Sequence, residues 1–322
     1  MVNSSTGRAV SVTDGARDAV SLVTLAGMSD RLWRLLDEQG GVVTSSQALA
    51  LVSRRSFEAL LKYGQLQKLW YGIYGRGDVD TELRLRGLDL ATDSTVAVCM
   101  HTAAVAHGFG TEEAAALHVL NPIGRQLRSA DGLTVHRRDG APLASVGGRP
   151  ATSPAWTAIE VARTLRRPRA LATLDAALRS GTCNRAGLWE AAKQQSGRRG
   201  IVVVRELLAL ADARAESPME SEARLVMADG GLPAPVLQYE VTDPMGRTWR
   251  LDFAWPECRL AAEYDGTAWH SGPAEFLRDR RRSAALQDLG WAVIPIVAED
   301  VRRWPQQLVR RIEAQMQRRR AA

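Results

Sequence analysis

Leu260-Ala261-Ala262-Glu263-Tyr264-Asp265-Gly266 is the stretch on which the reading of this chain turns. An apolar run ending in two acids reads as a strand, Arg259–Tyr264. Strand side chains alternate faces, so Glu263 and Asp265 point one way and Tyr264 the other. Packing does not account for that pair. Like charges so close repel and raise a pKa unless a cation sits between them. Working upstream, Val236–Val241 and Trp249–Ala254 read as two further strands, joined by the turn Asp243-Pro244-Met245-Gly246. Asp252 lies on the second, and it faces the acids of the third if the two pair as a hairpin. Ser217-Pro218 opens a helix, Met219–Asp229, that carries Glu220 and Glu222. Downstream come a helix (Pro273–Leu289) stopped by Gly290, a strand (Trp291–Val297) and a closing helix (Trp304–Arg319). Helix, three strands, helix, strand, helix predicts a small sheet covered by helices, with a parallel pairing across the β-helix-β step.

Asp252, then Glu263-Tyr264-Asp265-Gly266, then His270 resembles the core of the PD-(D/E)XK nuclease superfamily, in the branch similar to very-short-patch-repair endonucleases. Glu220-Ser221-Glu222, Leu251-Asp252-Phe253, Asp279-Arg280-Arg281-Arg282 and Gly290-Trp291 carry the likeness further, over roughly Glu216–Val301. The resemblance implies a restriction-endonuclease-like sheet, Mg²⁺ (or Mn²⁺) dependence and phosphodiester hydrolysis. It implies Asp252 and Glu263 as metal ligands and Glu222 as a supporting carboxylate. The chain departs from the pattern where the superfamily usually has lysine, because Asp265 stands there and no lysine follows Lys193. The repair-endonuclease branch uses histidine instead, which makes His270 the candidate base. The expected catalytic set is Glu222, Asp252, Glu263, Asp265 and His270. Mg²⁺ suits it, being held through one or two carboxylates plus phosphate oxygens.

The N-terminal part has its own pattern. Residues 1–27 are rich in small polar residues and read as a mobile arm. Ser29–Glu38 has helical periodicity and stops at Gly40-Gly41. Thr44-Ser45-Ser46 caps a second helix, Gln47–Val52, and Ser53 caps a third, Arg54–Tyr63. Leu66–Trp70 and Tyr71–Tyr74 follow as short strands. Three helices and a hairpin outline a winged helix over residues 28–79, its third helix directed to a major groove. Residues 80–215 read as a mixed α/β body. Leu32–Tyr74, His101-Thr102-Ala103-Ala104 and Ala151-Thr152-Ser153-Pro154 resemble the AbiEi-type antitoxin of abortive-infection systems, which implies DNA binding. Arg54, Arg55 and Lys62 are the candidate DNA contacts there. Arg278, Arg280 and Arg282 are candidates beside the carboxylates. His101, His107, His118 and His136 are spread out with no metal-spaced pair, and read as satisfied or surface histidines.

The bulk properties agree with a DNA partner and exclude some classes. Net charge is +6, carried almost wholly by arginine, since the lysines are Lys62, Lys68 and Lys193. Arginine's planar fork suits phosphate. Cys99, Cys183 and Cys258 lie far apart, which argues against a disulfide framework or a structural zinc site. No apolar run is long enough to cross a bilayer, and the expected compartment is the cytoplasm. The fold class expected is α/β (α+β): winged helix, α/β body, and a nuclease-like domain over residues 216–322. The expected function is a Mg²⁺-dependent DNA endonuclease acting on duplex DNA, in repair or phage defence. The alternative is a DNA-binding regulator or antitoxin with a vestigial nuclease fold.

Overall fold

A computed structural model describes residues 30–124, 126–266 and 273–321. The expected arm of residues 1–27 and the expected base His270, with its neighbour Trp269, lie outside the described residues. The chain divides into two compact units. Of the described residues, the first takes in those within 30–97 and 120–135, the second those within 98–119 and 136–321.

In the first unit, helix α1 (residues 30–38) ends where Gly40 and Gly41 adopt positive φ. Strand β1 (Val42–Thr44) leads into α2 (Ser45–Leu51). Thr44 caps it reciprocally with Gln47, each side chain taking the other's backbone N–H. Ser53 caps α3 (Arg54–Lys62) by accepting from the Ser56 N–H. The hairpin β2 (Gln67–Trp70) and β3 (Ile73–Gly75) follows, and β1 pairs with β3, giving the sheet order β1-β3-β2. Leu32, Leu36, Val43, Ala48, Phe57 and Leu60 bury one face of each helix on this sheet. Burial of that kind stabilises by roughly 1.5–3 kcal/mol for each large side chain. Helix α4 (Thr81–Thr92) packs on this sheet, with the Arg84 carbonyl accepting from the indole N–H of Trp70 at 2.9 Å. Helix, strand, helix, helix, hairpin is the order and pairing of a winged helix.

The second unit begins with α5 (Met100–Ala106). Strands β4 (Leu117–Leu120) and β5 (Leu133–His136) are those at which the chain passes between units. Next comes a hairpin of β6 (Leu143–Val146) and β7 (Arg149–Thr152), which the sequence reading missed. Its two-residue loop, Gly147-Gly148, has positive φ at both positions (56° and 80°), the backbone that favours tight hairpins and that glycine supplies without strain. Helices α6 (Pro154–Ala162), α7 (Arg167–Arg179), α8 (Arg185–Gln194) and α9 (Ile201–Leu210) form a bundle.

The rest of the unit has the predicted order: α10 (Pro218–Asp229), β8 (Val236–Thr242), β9 (Thr248–Trp255), β10 (Leu260–Tyr264), α11 (Pro273–Asp288), β11 (Ala292–Ile296), α12 (Ala298–Arg302) and α13 (Pro305–Ala321). Of these, α12 was not foreseen, Pro305 opening α13 after it. The sheet runs β11-β10-β9-β8, with β10 and β11 parallel and the other pairs antiparallel. Phe253, Trp255, Leu260 and Ala262 pack with residues of α10, α12 and α13 on one face. Ala254 and Ala261 pack with Leu286 of α11 on the other, joined by the half-buried Trp249 and Trp291. This α+β architecture is the class expected. No helix among the described residues is long and apolar enough to cross a membrane.

Candidate functional site

Two surfaces carry the expected chemistry, one in each unit. On α3, the apolar side holds Phe57 and Leu60 in the core while Ser53, Arg54, Arg55, Glu58 and Lys62 stay exposed. Arg54 pairs with Glu58 one turn on, at 3.3 Å. Such an exposed pair is worth little, about 0.3–0.5 kcal/mol, so a phosphate competes for the arginine on easy terms. Lys62 sits 5.7 Å from the Tyr63 ring centroid. The hairpin adds Gln67 and Lys68, exposed on β2, and Tyr71 at its tip, which is 95% exposed. Sequence reading passed over Tyr71 and Lys68. The signal was there, in an aromatic residue followed by Gly72 at the turn between two short strands.

In the second unit the carboxylates are held as follows. Glu222, buried on α10, accepts from Arg302 through both oxygens at 2.9 Å and from Arg169 of α7 at 3.1 Å. Burial by itself would raise its pKa, but the hydrogen bonds and charges of Arg302 and Arg169 outweigh it and hold the carboxyl below its ordinary value. Glu263, on the α11 side of β10, is gripped by Arg282: both oxygens accept from the guanidinium, which also donates to the Arg250 carbonyl at 2.8 Å. Asp252 accepts the Tyr264 N–H at 3.0 Å, in place of a backbone partner beyond the last paired residues, Ala262 and Phe253. The register of β8 on β9 puts Gln238 opposite Asp252. Its amide donates to Glu220 at 3.0 Å and lies 3.5 Å from Asp252, while its own oxygen is buried without a partner. Gln238 takes φ 52°, an uncommon backbone for a residue with a side chain. Burial pushes both Glu220 and Asp252 upward in pKa. Asp265 is exposed.

The structure therefore brings Asp252, Glu263, Glu220 and Gln238 to one end of the sheet and sends Glu222 elsewhere, to a joint between α7, α10 and α12. The donor set does not fit a divalent cation as it stands, because Arg282 already takes both oxygens of the carboxylate that would ligate it. Among the described residues no group of three or more His, Cys, Asp or Glu is arranged to hold a metal ion. Of the arginines assigned to DNA on α11, Arg278 and Arg280 are exposed, while the charge of Arg282 is spent on Glu263.

Three of the histidines read as scattered come together instead. His118 Nδ1 lies 2.8 Å from His136 Nε2, and the His101 ring packs edge-on to His118 with centroids 5.5 Å apart. Burial, then the neighbouring imidazoles, lowers the His118 pKa to about 4. Beside them, buried Glu160 accepts from Arg138 and Arg163. Residue spacings of 17 and 18 gave no local signal for this cluster, since non-adjacent segments deliver the side chains.

Glu222 also makes a pH prediction. Its folded pKa is depressed, so its contribution is complete above the ordinary glutamate value of 4.5 and is lost as pH falls through the depressed one. Urea midpoints measured downward from pH 6 should fall less steeply for Glu222→Gln than for the wild type. Equal slopes below pH 4.5 would remove the ion pair from the account.

Residues 96–210 match the family described as AbiEi antitoxin C-terminal domain. The uncharacterized protein Rv2248 of Mycobacterium tuberculosis (strain ATCC 25618 / H37Rv) is 54% identical over 271 residues, 84% of this chain and 100% of the relative. The uncharacterized protein MT2308 of strain CDC 1551 / Oshkosh is similar to the same extent. The AbiEi match covers α5 to α9 and stops before Glu222 and the carboxylates of the sheet.

Proposed function

The chain belongs to the family of the mycobacterial protein Rv2248 and matches the AbiEi antitoxin C-terminal domain over residues 96–210, and from that premise we propose that it is a DNA-binding regulator of the antitoxin type. One observation carries the reading: a winged helix whose third helix presents Arg54, Arg55 and Lys62 to solvent stands in the same chain as the antitoxin body. Duplex DNA is the partner. The guanidinium and ammonium groups of α3 take phosphates, and the hairpin with Lys68 and Tyr71 follows the backbone beside the groove. Such a partner places its work in the cytoplasm. The test is a mobility shift with the DNA upstream of its own gene against unrelated DNA of equal length. Preferential binding is expected, and it should survive Asp252→Asn. Absence of any shift at low salt would defeat the proposal.

A second reading is favoured by one specific feature, the strand order and carboxylate placement of the C-terminal sheet. Under the PD-(D/E)XK resemblance, Asp252 and Glu263 would hold Mg²⁺ or Mn²⁺ beside a scissile phosphate, with Asp265 and His270 near it. The grip of Arg282 on Glu263, and of Arg302 and Arg169 on Glu222, counts against this reading. Its test is metal-dependent nicking of duplex DNA that disappears in Asp252→Ala.

A further inference from the structure

We propose that Arg282 is the resident cation of the C-terminal carboxylate set, occupying in charge and position the place a divalent ion would need. A divalent ion binds where carboxylate oxygens converge with lone pairs to spare. Here the converging oxygens are those of Glu263, and both are taken by one guanidinium in the bidentate geometry that makes arginine–carboxylate pairs strong. The same guanidinium donates to the Arg250 carbonyl, two residues before Asp252 on β9. It is fixed at three points on two adjacent strands. Its charge is felt by Asp252 and Asp279 as well as Glu263, so one cation serves the carboxylates expected to share a metal.

Two physical properties make the occupancy permanent. A guanidinium stays protonated across the whole physiological pH range. The pair is also poorly solvated, with the Glu263 side chain 17% exposed and that of Arg282 28% exposed. An incoming Mg²⁺ would have to shed water, which it does reluctantly, and would leave the arginine beside it as a like charge. The arrangement ties α11 to β9 and β10 and makes the domain independent of metal. The inference stands whether or not α3 binds DNA.

The experiment uses the full chain with Mn²⁺ as probe, read by the free-ion electron paramagnetic resonance signal, alongside thermal melts. Wild type should take up no Mn²⁺ that Asp252→Asn removes, and its melting temperature should not respond to the ion. Arg282→Gln should gain about one equivalent, lost again in Arg282→Gln combined with Asp252→Asn. Wild-type uptake abolished by Asp252→Asn overturns the proposal, and so does a folded Arg282→Gln chain that binds none. Should Arg282→Gln fail to melt cooperatively, the wild-type titration still decides the first point, and Arg282→Met, which keeps part of the aliphatic stem and carries no charge, takes its place for the second.

Discussion

Asp175→Ala is expected to remove about 3–5 kcal/mol of stability from the second unit, the range for breaking a buried ion pair from one side. Asp175 of α7 is fully buried and lies 2.5 Å from the guanidinium of Arg224 on α10. Its other oxygen accepts the Asp212 N–H at 2.7 Å, after α9. One carboxylate thus ties three segments. Desolvation pushes its pKa up, and the charge of Arg224 and the hydrogen bonds work against that rise without cancelling it. Removing it strands a guanidinium whose Nε is already without a partner and leaves a backbone N–H unpaired. Against a typical total of about 5–15 kcal/mol, the loss takes a fifth of the margin at the least. Replacing both partners with apolar residues, Asp175→Leu with Arg224→Met, should recover most of it, because no charge is then left alone. Urea unfolding of Asp175→Leu, Arg224→Met and their combination, beside Asp175→Ala, checks the cycle. A single-variant loss under about 1 kcal/mol would show that water reaches the arginine and that the pair is not the joint described here.

That joint bears on what the sequence could reveal. Helices α7 and α10, which stand on either side of the expected boundary at residue 216, lie side by side. They share Asp175 with Arg224, Arg169 with Glu222, and Arg167 with Asp229. Local signals were legible because their causes are local. Thr44 with Gln47, Ser53, and Ser217 before Pro218 sit within one helical turn of the backbone groups they satisfy, so the helix starts followed from them. The strands of the C-terminal sheet followed from apolar runs between turn residues. What each carboxylate meets was not legible. Glu263 is answered by an arginine 19 residues later and Glu222 by one 80 residues later. No periodicity encodes such pairings. The three arginines of α11 expected at DNA, Arg278, Arg280 and Arg282, include the one that turns inward to Glu263. Acids on adjacent strands call for a cation between them. The cation is supplied by the protein.

Arg54→Ala, Arg55→Ala and Lys62→Ala combined should weaken DNA binding in a salt-dependent way, and the salt dependence is the more telling result. Each phosphate contact contributes about 0.9 to the slope of log affinity against log salt, so losing three should reduce the slope by about 2.7. Between 50 and 200 mM salt, a four-fold range, the wild type should therefore lose roughly forty-fold more affinity than the triple variant. Stability should hardly change, since these side chains are exposed and the Arg54–Glu58 pair is a surface pair. Preference for the upstream DNA over unrelated DNA should shrink less than affinity does, because phosphate contacts position the helix and base contacts specify the sequence. Glu58→Ala supplies the opposite sign: it removes the negative charge within reach of Arg54 and should tighten binding at low salt. An unchanged slope in the triple variant would move the nucleic-acid face away from α3, whatever the affinity did. A reduced slope with intact folding would make the exposed side of α3 the surface through which this chain holds DNA.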